Sequence, residues 1–209
     1  MHPITTLVIA TRNQGKTTEI IELLKDYPVT IKNLDDFGSI PCVIEDGLTF
    51  EENAYKKASF TARIIGYPTL ADDSGLCVSA LNGAPGVFSA RYAGENATDT
   101  QRCQKLLEQL GASQNRKAAF HCAISLAVPT GPALTYEAQC QGEITFALSG
   151  ENGFGYDPVF FYPPLKKTFA QLNLTEKNNV SHRGKALREL RKEFDKVIKW
   201  IERHMHYNG

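Results

Sequence analysis

The sequence has no Cys-x-x-Cys pair, and its five cysteines (Cys42, Cys77, Cys103, Cys122 and Cys140) are odd in number and widely spread. A disulfide framework and a cysteine-based zinc site are therefore not expected. The cysteines read as small core residues in a protein of the reducing cytoplasm. Long apolar runs are missing too: the longest are as short as residues 7–10. A membrane span needs roughly 18 such residues, so no membrane association is expected. Residues 1–6 carry no basic stretch leading into an apolar core, which speaks against a secretory leader. Neither sign of charge is in excess, with Lys plus Arg and Asp plus Glu both at 23. Long nucleic acids are held through many phosphate contacts. A neutral chain is thus expected to bind no nucleic acid, and any polyanion it takes should be small and met by a local cluster of cations. No internal repeat or low-complexity stretch occurs.

What is present is an ordinary globular balance, 42% hydrophobic and 22% charged residues over 209 positions. That suits one domain spanning residues 1–209. Residues 6–10 read as a short buried strand. The string Thr11-Arg12-Asn13-Gln14-Gly15-Lys16 follows, then an amphipathic helix with Ile20, Ile21, Leu23 and Leu24 on one side, stopped by Pro28. Residues 49–65 read as a second helix, with a capping-box pattern in Thr49 and Glu52. Residues 69–71 read as a brief strand that delivers Asp72-Asp73-Ser74-Gly75 as a turn. Residues 83–94 form a long loop, and residues 98–110 a capped helix closed by Gly111. Phe120, Cys122, Ile124, Leu126 and Val128 alternate with small or polar residues, the mark of a strand with one buried face. Residues 134–146 pair back on it as a hairpin. A glycine-rich loop over 150–158 leads into Val159-Phe160-Phe161-Tyr162. One final helix starts after Ser181, with Leu187, Leu190, Phe194, Val197, Ile198 and Ile201 in helical register. Helices and strands intermix around a central hairpin, so the expected fold class is α/β with a mixed sheet.

Five segments carry candidate chemistry. In residues 11–16, backbone N–H groups at a helix start together with Lys16 suit a phosphate; the same string is also an ordinary strand-to-helix turn. Asn53 and Lys57 lie four apart and share a helix face, and Glu52 and Lys56 have the spacing of a surface ion pair. Asp72 and Asp73 can present oxygen ligands to Mg²⁺, and neighbouring acids raise one another's pKa, as a general base requires. Glu45 can add a further carboxylate. In Gly153-Phe154-Gly155-Tyr156-Asp157, glycines allow a flat ligand to approach and an aromatic ring can stack on a base; a tight turn with core aromatics reads equally well. Lys177, His182 and Arg183 gather donors near a helix N-terminus, against the dipole's preference, which points to an anionic or carbonyl-bearing ligand.

In their order these strings resemble the inosine triphosphate pyrophosphatase family, in its bacterial dITP/XTP pyrophosphatase branch. The matching stretches are residues 11–16, Thr49-Phe50-Glu51-Glu52-Asn53-Ala54 with Lys57-Ala58, residues 71–76, residues 83–94, residues 153–158 and Ser181-His182-Arg183-Gly184-Lys185-Ala186-Leu187. The resemblance implies a two-lobed mixed α/β fold with the active site in the central cleft. It implies Mg²⁺-dependent hydrolysis of non-standard purine nucleoside triphosphates (ITP, dITP, XTP) to monophosphate and pyrophosphate by a cytoplasmic homodimer. Thr11, Arg12, Asn13, Gln14, Gly15, Lys16 and Lys57 would hold the triphosphate, and Ser74 would contact the substrate. Asp73 would activate the water and, with Glu45, bind the metal. Phe154, Gly155, Tyr156, Asp157, Lys177, His182 and Arg183 would surround the base. Two departures stand out: Arg12 replaces a small residue, and the acidic pair before Gly47-Leu48-Thr49-Phe50 is shifted to Glu45-Asp46.

Two other readings use the same residues. Residues 10–17 nearly match GxxxxGK[ST], with Ala10 at the first glycine, as in a P-loop ATPase or kinase. A non-catalytic nucleotide-binding module would keep the binding residues without turnover.

Overall fold

The computed structural model describes residues 5–205. Strand β1 (Thr5–Ile9) is buried at Leu7, Val8 and Ile9. It pairs in parallel with β2 (Val29–Asn33), Leu7 opposite Ile31, and with β3 (Thr69–Val78), Ile9 opposite Leu70. Helix α1 (Gln14–Leu24) joins β1 to β2, and α2 (Phe50–Ile65) lies between β2 and β3 in the chain. Parallel crossovers are right-handed. These two run in opposite directions along the sheet, so α1 and α2 cover opposite faces. The change of direction falls between β1 and β3. Ligands of open α/β sheets bind outside the strand ends at such a switch point.

The seven-stranded sheet has the order β2-β1-β3-β4-β5-β6-β7. Its remaining members are β4 (Lys117–Ala127), β5 (Ala133–Ile144), β6 (Phe160–Tyr162) and β7 (Lys167–Thr168). β5 with β6 and β6 with β7 are antiparallel. Residues 128–132 are too short a connection for a parallel crossover, so β4 and β5 form the expected hairpin. The fold is a mixed α/β structure. No helix among the described residues is long and apolar enough to cross a membrane.

The chain divides into two compact units. The first takes the described residues up to Asp73, then 123–137 and those from Ala186 on; the second takes 74–122 and 138–185. The first unit has a core of small side chains, Ala58 and Ala62 of α2 packing with Ala10, Ala71 and Ala127. Small contacts shorten the distance between packed elements, which brings the α2 side chains within reach of β3. The second unit is built on aromatic rings: Phe120, Phe160 and Phe169 are buried together, with Phe120 and Phe160 centroids 4.6 Å apart. Helix α3 (Asp99–Leu110) packs here through Cys103, Leu106 and Leu110, and Thr98 with Gln101 forms its full capping box.

Several local expectations are corrected. The acids of β3 are not in a turn, because the strand runs unbroken through Asp72-Asp73-Ser74-Gly75. It does so because β4 is its hydrogen-bonded neighbour on the side away from β1, a partner that lies far away in sequence. A short helix α4 (Leu174–Val180) precedes Ser181, and the expected final helix after it is two, α5 (His182–Lys192) and α6 (Phe194–Met205). Ser181 caps the N-terminus of α5 as expected, accepting from the Gly184 N–H at 3.1 Å. Between α5 and α6, the Tyr27 hydroxyl donates to the Arg191 carbonyl (3.0 Å) and the Tyr27 ring packs on Phe194 (4.3 Å). A late carbonyl of α5 is satisfied there from outside the helix. Ile21 is 44% exposed and does not share the buried face of Ile20 and Leu24, and the Leu23 side chain lies outside the described ones. Cys42 is also exposed, while Cys103, Cys122 and Cys140 are buried as expected and none of the five is in a disulfide.

Candidate active site

In the first unit, the loop after β1 closes on itself before α1 begins. The Asn13 N–H donates to the Thr11 hydroxyl (3.1 Å), and the Asn13 carbonyl-side oxygen Oδ1 caps the helix by accepting from the Lys16 N–H (3.1 Å). Arg12 and Gln14 are exposed, and Gly15 is half-buried. Lys16 stands in the first turn of α1 and reaches Asp72, Nζ to Oδ2 3.0 Å. Thr17 is buried and its hydroxyl donates to the Asn13 carbonyl (3.2 Å). In a P-loop that hydroxyl would face a magnesium ion. Here it belongs to the helix backbone.

Successive strand residues face opposite sides, and the two aspartates follow that rule. Asp72 pairs with Lys16 of α1, whereas Asp73 meets α2. One Asp73 oxygen lies 3.1 Å from Lys57 Nζ, and the other accepts from Asn53 Nδ2 at 3.3 Å. Lys57 also holds Glu45 at 3.0 Å. The shared helix face of Asn53 and Lys57 thus converges on one carboxylate. The expected Glu52–Lys56 pair does not form: Lys56 pairs with Asp46 at 2.6 Å, and Glu52 accepts from the Leu48 N–H at 2.7 Å. Thr49 still caps α2, accepting from the Glu52 N–H. The segment 45–48 before the helix offers these partners, and the helix sequence alone does not reveal them.

The electrostatics of this cluster are competitive. Burial raises the Asp73 pKa above its usual range by more than Lys57 and Lys16 lower it, and Glu45 adds to the rise. For Lys57, burial works against the charge, but Asp73, Asp72 and Glu45 outweigh it and the pKa stands above the ordinary lysine value. One lysine shared by several acids explains both directions. Among the described residues no three His, Cys, Asp or Glu side chains gather as a metal cage. Magnesium is commonly held by one or two carboxylates, with phosphate oxygens and water completing the shell. The all-oxygen pair of Asp73 and Glu45, both on Lys57, fits that requirement.

In the second unit, Asp157 is the hub. It accepts from the Phe154 N–H (2.9 Å) and from Lys177 Nζ (2.6 Å), and both Asp157 and Lys177 are buried. Gly153 has φ +76°, and a Cβ there would stand 2.0 Å from the Asp157 carboxylate, so only glycine lets the loop wrap this side chain. Lys177 Nζ sits 4.3 Å and Arg183 Cζ 5.6 Å from the Phe154 ring centre, within cation–π range. Arg183 is 2% exposed and donates to the Ser74 hydroxyl at 3.2 Å. His182 is buried and stacks on Phe120, centroids 4.6 Å apart and planes within 10°. The Gly155 N–H donates to Asp99 (2.6 Å), which ties the loop to α3. Tyr156 is a correction. It is 3% exposed, belongs to the aromatic core, and its hydroxyl donates to the Ser89 carbonyl (2.9 Å). Its ring is not presented for stacking.

The Ham1 family profile matches residues 7–193. The chain belongs to the Ham1 family. A relative from Syntrophobacter fumaroxidans, named dITP/XTP pyrophosphatase, is 61% identical over 93% of this chain and 84% of its own. Another of that name from Desulfotalea psychrophila is 56% identical, over 95% and 89%. A solved HAM1 protein from Coxiella burnetii is 46% identical and superposes with a TM-score of 0.85, over 92% of this chain and all of that one. The stretch matched to the Ham1 family contains every residue of both clusters, from Thr11 to Arg183. Asp72 and Asn53 had signals in the sequence, one as the neighbour of Asp73 and one at helical spacing from Lys57. Asp99 and Ser89 had none, because their partners are backbone groups far away in the chain.

Proposed function

We propose that this chain is a Mg²⁺-dependent nucleoside triphosphate pyrophosphatase that converts ITP, dITP and XTP to the monophosphate and pyrophosphate. The observation that carries this reading is the Lys57 centre, one lysine held by Asp73 at 3.1 Å and Glu45 at 3.0 Å. A cation shared between acids can exchange them for phosphate oxygens. In this reading Asn13, Lys16 and Lys57, with the backbone of Thr11, Arg12, Gln14 and Gly15, bind the triphosphate. Asp73 and Glu45 would hold Mg²⁺, which when bound supplies positive charge against the phosphates. Asp73 orients a water and takes its proton. The water oxygen bonds to the α-phosphorus, the bond from that phosphorus to the bridging oxygen breaks, and pyrophosphate leaves. No covalent nucleophile is needed, since phosphoryl chemistry of this kind rests on positioning and charge.

Base recognition is assigned to the second unit. Phe154 and Gly155 take the plane of the purine, and Ser74, Asp157, Lys177, His182 and Arg183 its edges. Hypoxanthine and xanthine present a keto oxygen at C6, which accepts hydrogen bonds, whereas adenine presents an amino group. A site built from donors rejects such an analogue by about 10⁴–10⁵-fold. The names of the relatives support the substrate class, and the free thiols suit the cytoplasm. The homodimer belongs to the same reading, and light scattering of the purified chain tests it.

The deciding experiment measures pyrophosphate and orthophosphate release from ITP, dITP, XTP, GTP and ATP across a Mg²⁺ titration. Metal-dependent pyrophosphate from the first three is expected. Orthophosphate as the product would favour a P-loop enzyme, and no turnover with any nucleotide would favour a binding module.

A further inference from the structure

Asn53 is 1% exposed and has no part in the chemistry described so far. Its amide nevertheless joins two pieces of that chemistry. Nδ2 donates to Asp73 Oδ2 at 3.3 Å, and Oδ1 accepts from the Gly47 N–H at 2.8 Å. Nδ2 also lies 3.4 Å from the Gly47 carbonyl. A backbone N–H can only donate and an ionised carboxylate can only accept, so one amide orientation serves both. Gly47 is two residues after Glu45, the other carboxylate on Lys57. The approach of that peptide is tight: a Cβ at Gly47 would stand 2.6 Å from Asn53 Oδ1 and 2.9 Å from Glu52 Cβ. Glycine is thus required by the closeness of the asparagine.

We infer that Asn53 is a positioning residue, fixing the Asp73 carboxylate and the Gly47 peptide in one hydrogen-bonded unit so that Asp73 and Glu45 face Lys57 together. The inference rests on the proposed roles of Asp73 and Glu45 as metal carboxylates. Each Asp73 oxygen has a donor one helical turn from the other, Lys57 on Oδ1 and Asn53 on Oδ2, which leaves the carboxylate little rotational freedom. Without Asn53 the carboxylate and the 45–47 segment are joined through Lys57 alone. Outer partners of metal ligands typically carry 10–100-fold in affinity or activity.

The test uses the full chain with Asn53→Leu, which keeps the side-chain shape, and Gly47→Ala, which pushes on the same contact from the other side. Mn²⁺ binding to the nucleotide-free protein is read by electron paramagnetic resonance, and kcat, KM for dITP and thermal unfolding are measured alongside. Asn53→Leu should weaken Mn²⁺ binding and lower kcat by about 10–100-fold with KM for dITP little changed, and Gly47→Ala should move both in the same direction by less. Lys56→Ala, which removes only the exposed pair to Asp46, should match wild type. A folded Asn53→Leu protein with wild-type Mn²⁺ affinity overturns the inference and leaves the proposed function standing. If Asn53→Leu does not fold, Gly47→Ala decides: unchanged Mn²⁺ affinity overturns the inference. A wild-type protein that neither binds Mn²⁺ nor releases pyrophosphate overturns the proposed function and this inference with it.

Discussion

Lys57 in the first unit and Lys177 in the second are both drawn to buried aspartates, at 3.1 and 2.6 Å. Their surroundings differ. The side chains of Lys57 and Asp73 keep 12% and 11% exposure, and Lys57 divides its charge with Glu45, itself 38% exposed. Lys177 and Asp157 keep only 5% and 3%, and a glycine loop is wrapped around the aspartate. A shared, partly wet ion pair can open for a ligand because water and incoming phosphate replace what is lost. A dry pair cannot open without stranding a charge. The first arrangement suits groups that must change partners during turnover, and the second suits a rigid template that must not.

If that contrast holds, substitutions in the two clusters should fail in different ways. Asp73→Asn should lower kcat by about 10²–10⁴-fold, the usual worth of a general base, with the circular dichroism spectrum unchanged. A variant that retained most of the wild-type kcat would remove Asp73 from the chemistry. Lys177→Met should instead act on the fold, costing about 3–5 kcal/mol in urea denaturation by leaving Asp157 in a dry site without its lysine. A cost like that of an exposed pair would show that the second cluster is no rigid template. Lys16→Ala and Lys57→Ala should act mainly on binding, each raising KM for ITP by the equivalent of about 1.5–3 kcal/mol. Unchanged KM in both would place the triphosphate elsewhere.

Two smaller effects sharpen the comparison. Arg183→Ala should lower kcat/KM for ITP more than for ATP, because only the keto base loses a donor. Equal falls would make Arg183 a phosphate or scaffold residue. The last prediction concerns pH. The folded pKa of Asp73 lies above its ordinary 3.8, so the folded state holds that proton longer than the unfolded chain does. The contribution of Asp73 to stability is therefore most favourable below 3.8, falls as pH rises through the folded value, and then levels off. Relative to wild type, the nucleotide-free Asp73→Asn protein should gain stability over that window. A difference independent of pH would contradict the burial argument.

Much of this molecule was legible where the signal is local. The capped start of the helix at Thr98, the Ser181 cap and the Asn53–Lys57 helix face depend on residues three or four positions apart, and all three form. The order of the motifs was enough to suggest the family. Strand β2 was not legible, because its residues are half-buried or exposed without an alternating stripe. The destination of Tyr156 was hidden as well. A ring in a glycine-rich turn suits an open loop or a core equally, and only the Ser89 carbonyl and the packed phenylalanines of the second unit decide between them.

By itself, then, the sequence determined its helix caps, its binary patterns and the residue types available for phosphate and base. The tertiary structure alone decided which of them meet. Asp72-Asp73-Ser74-Gly75 has the composition of a turn, yet it is strand because β4 lies beside β3 on the side away from β1. That choice sends Asp72 toward Lys16 and Asp73 toward Lys57. Hydrogen-bond partners for a strand come from distant parts of the chain, and alternation then fixes the face of every side chain along it. For that reason the separation of the two aspartates could not be read from their neighbours.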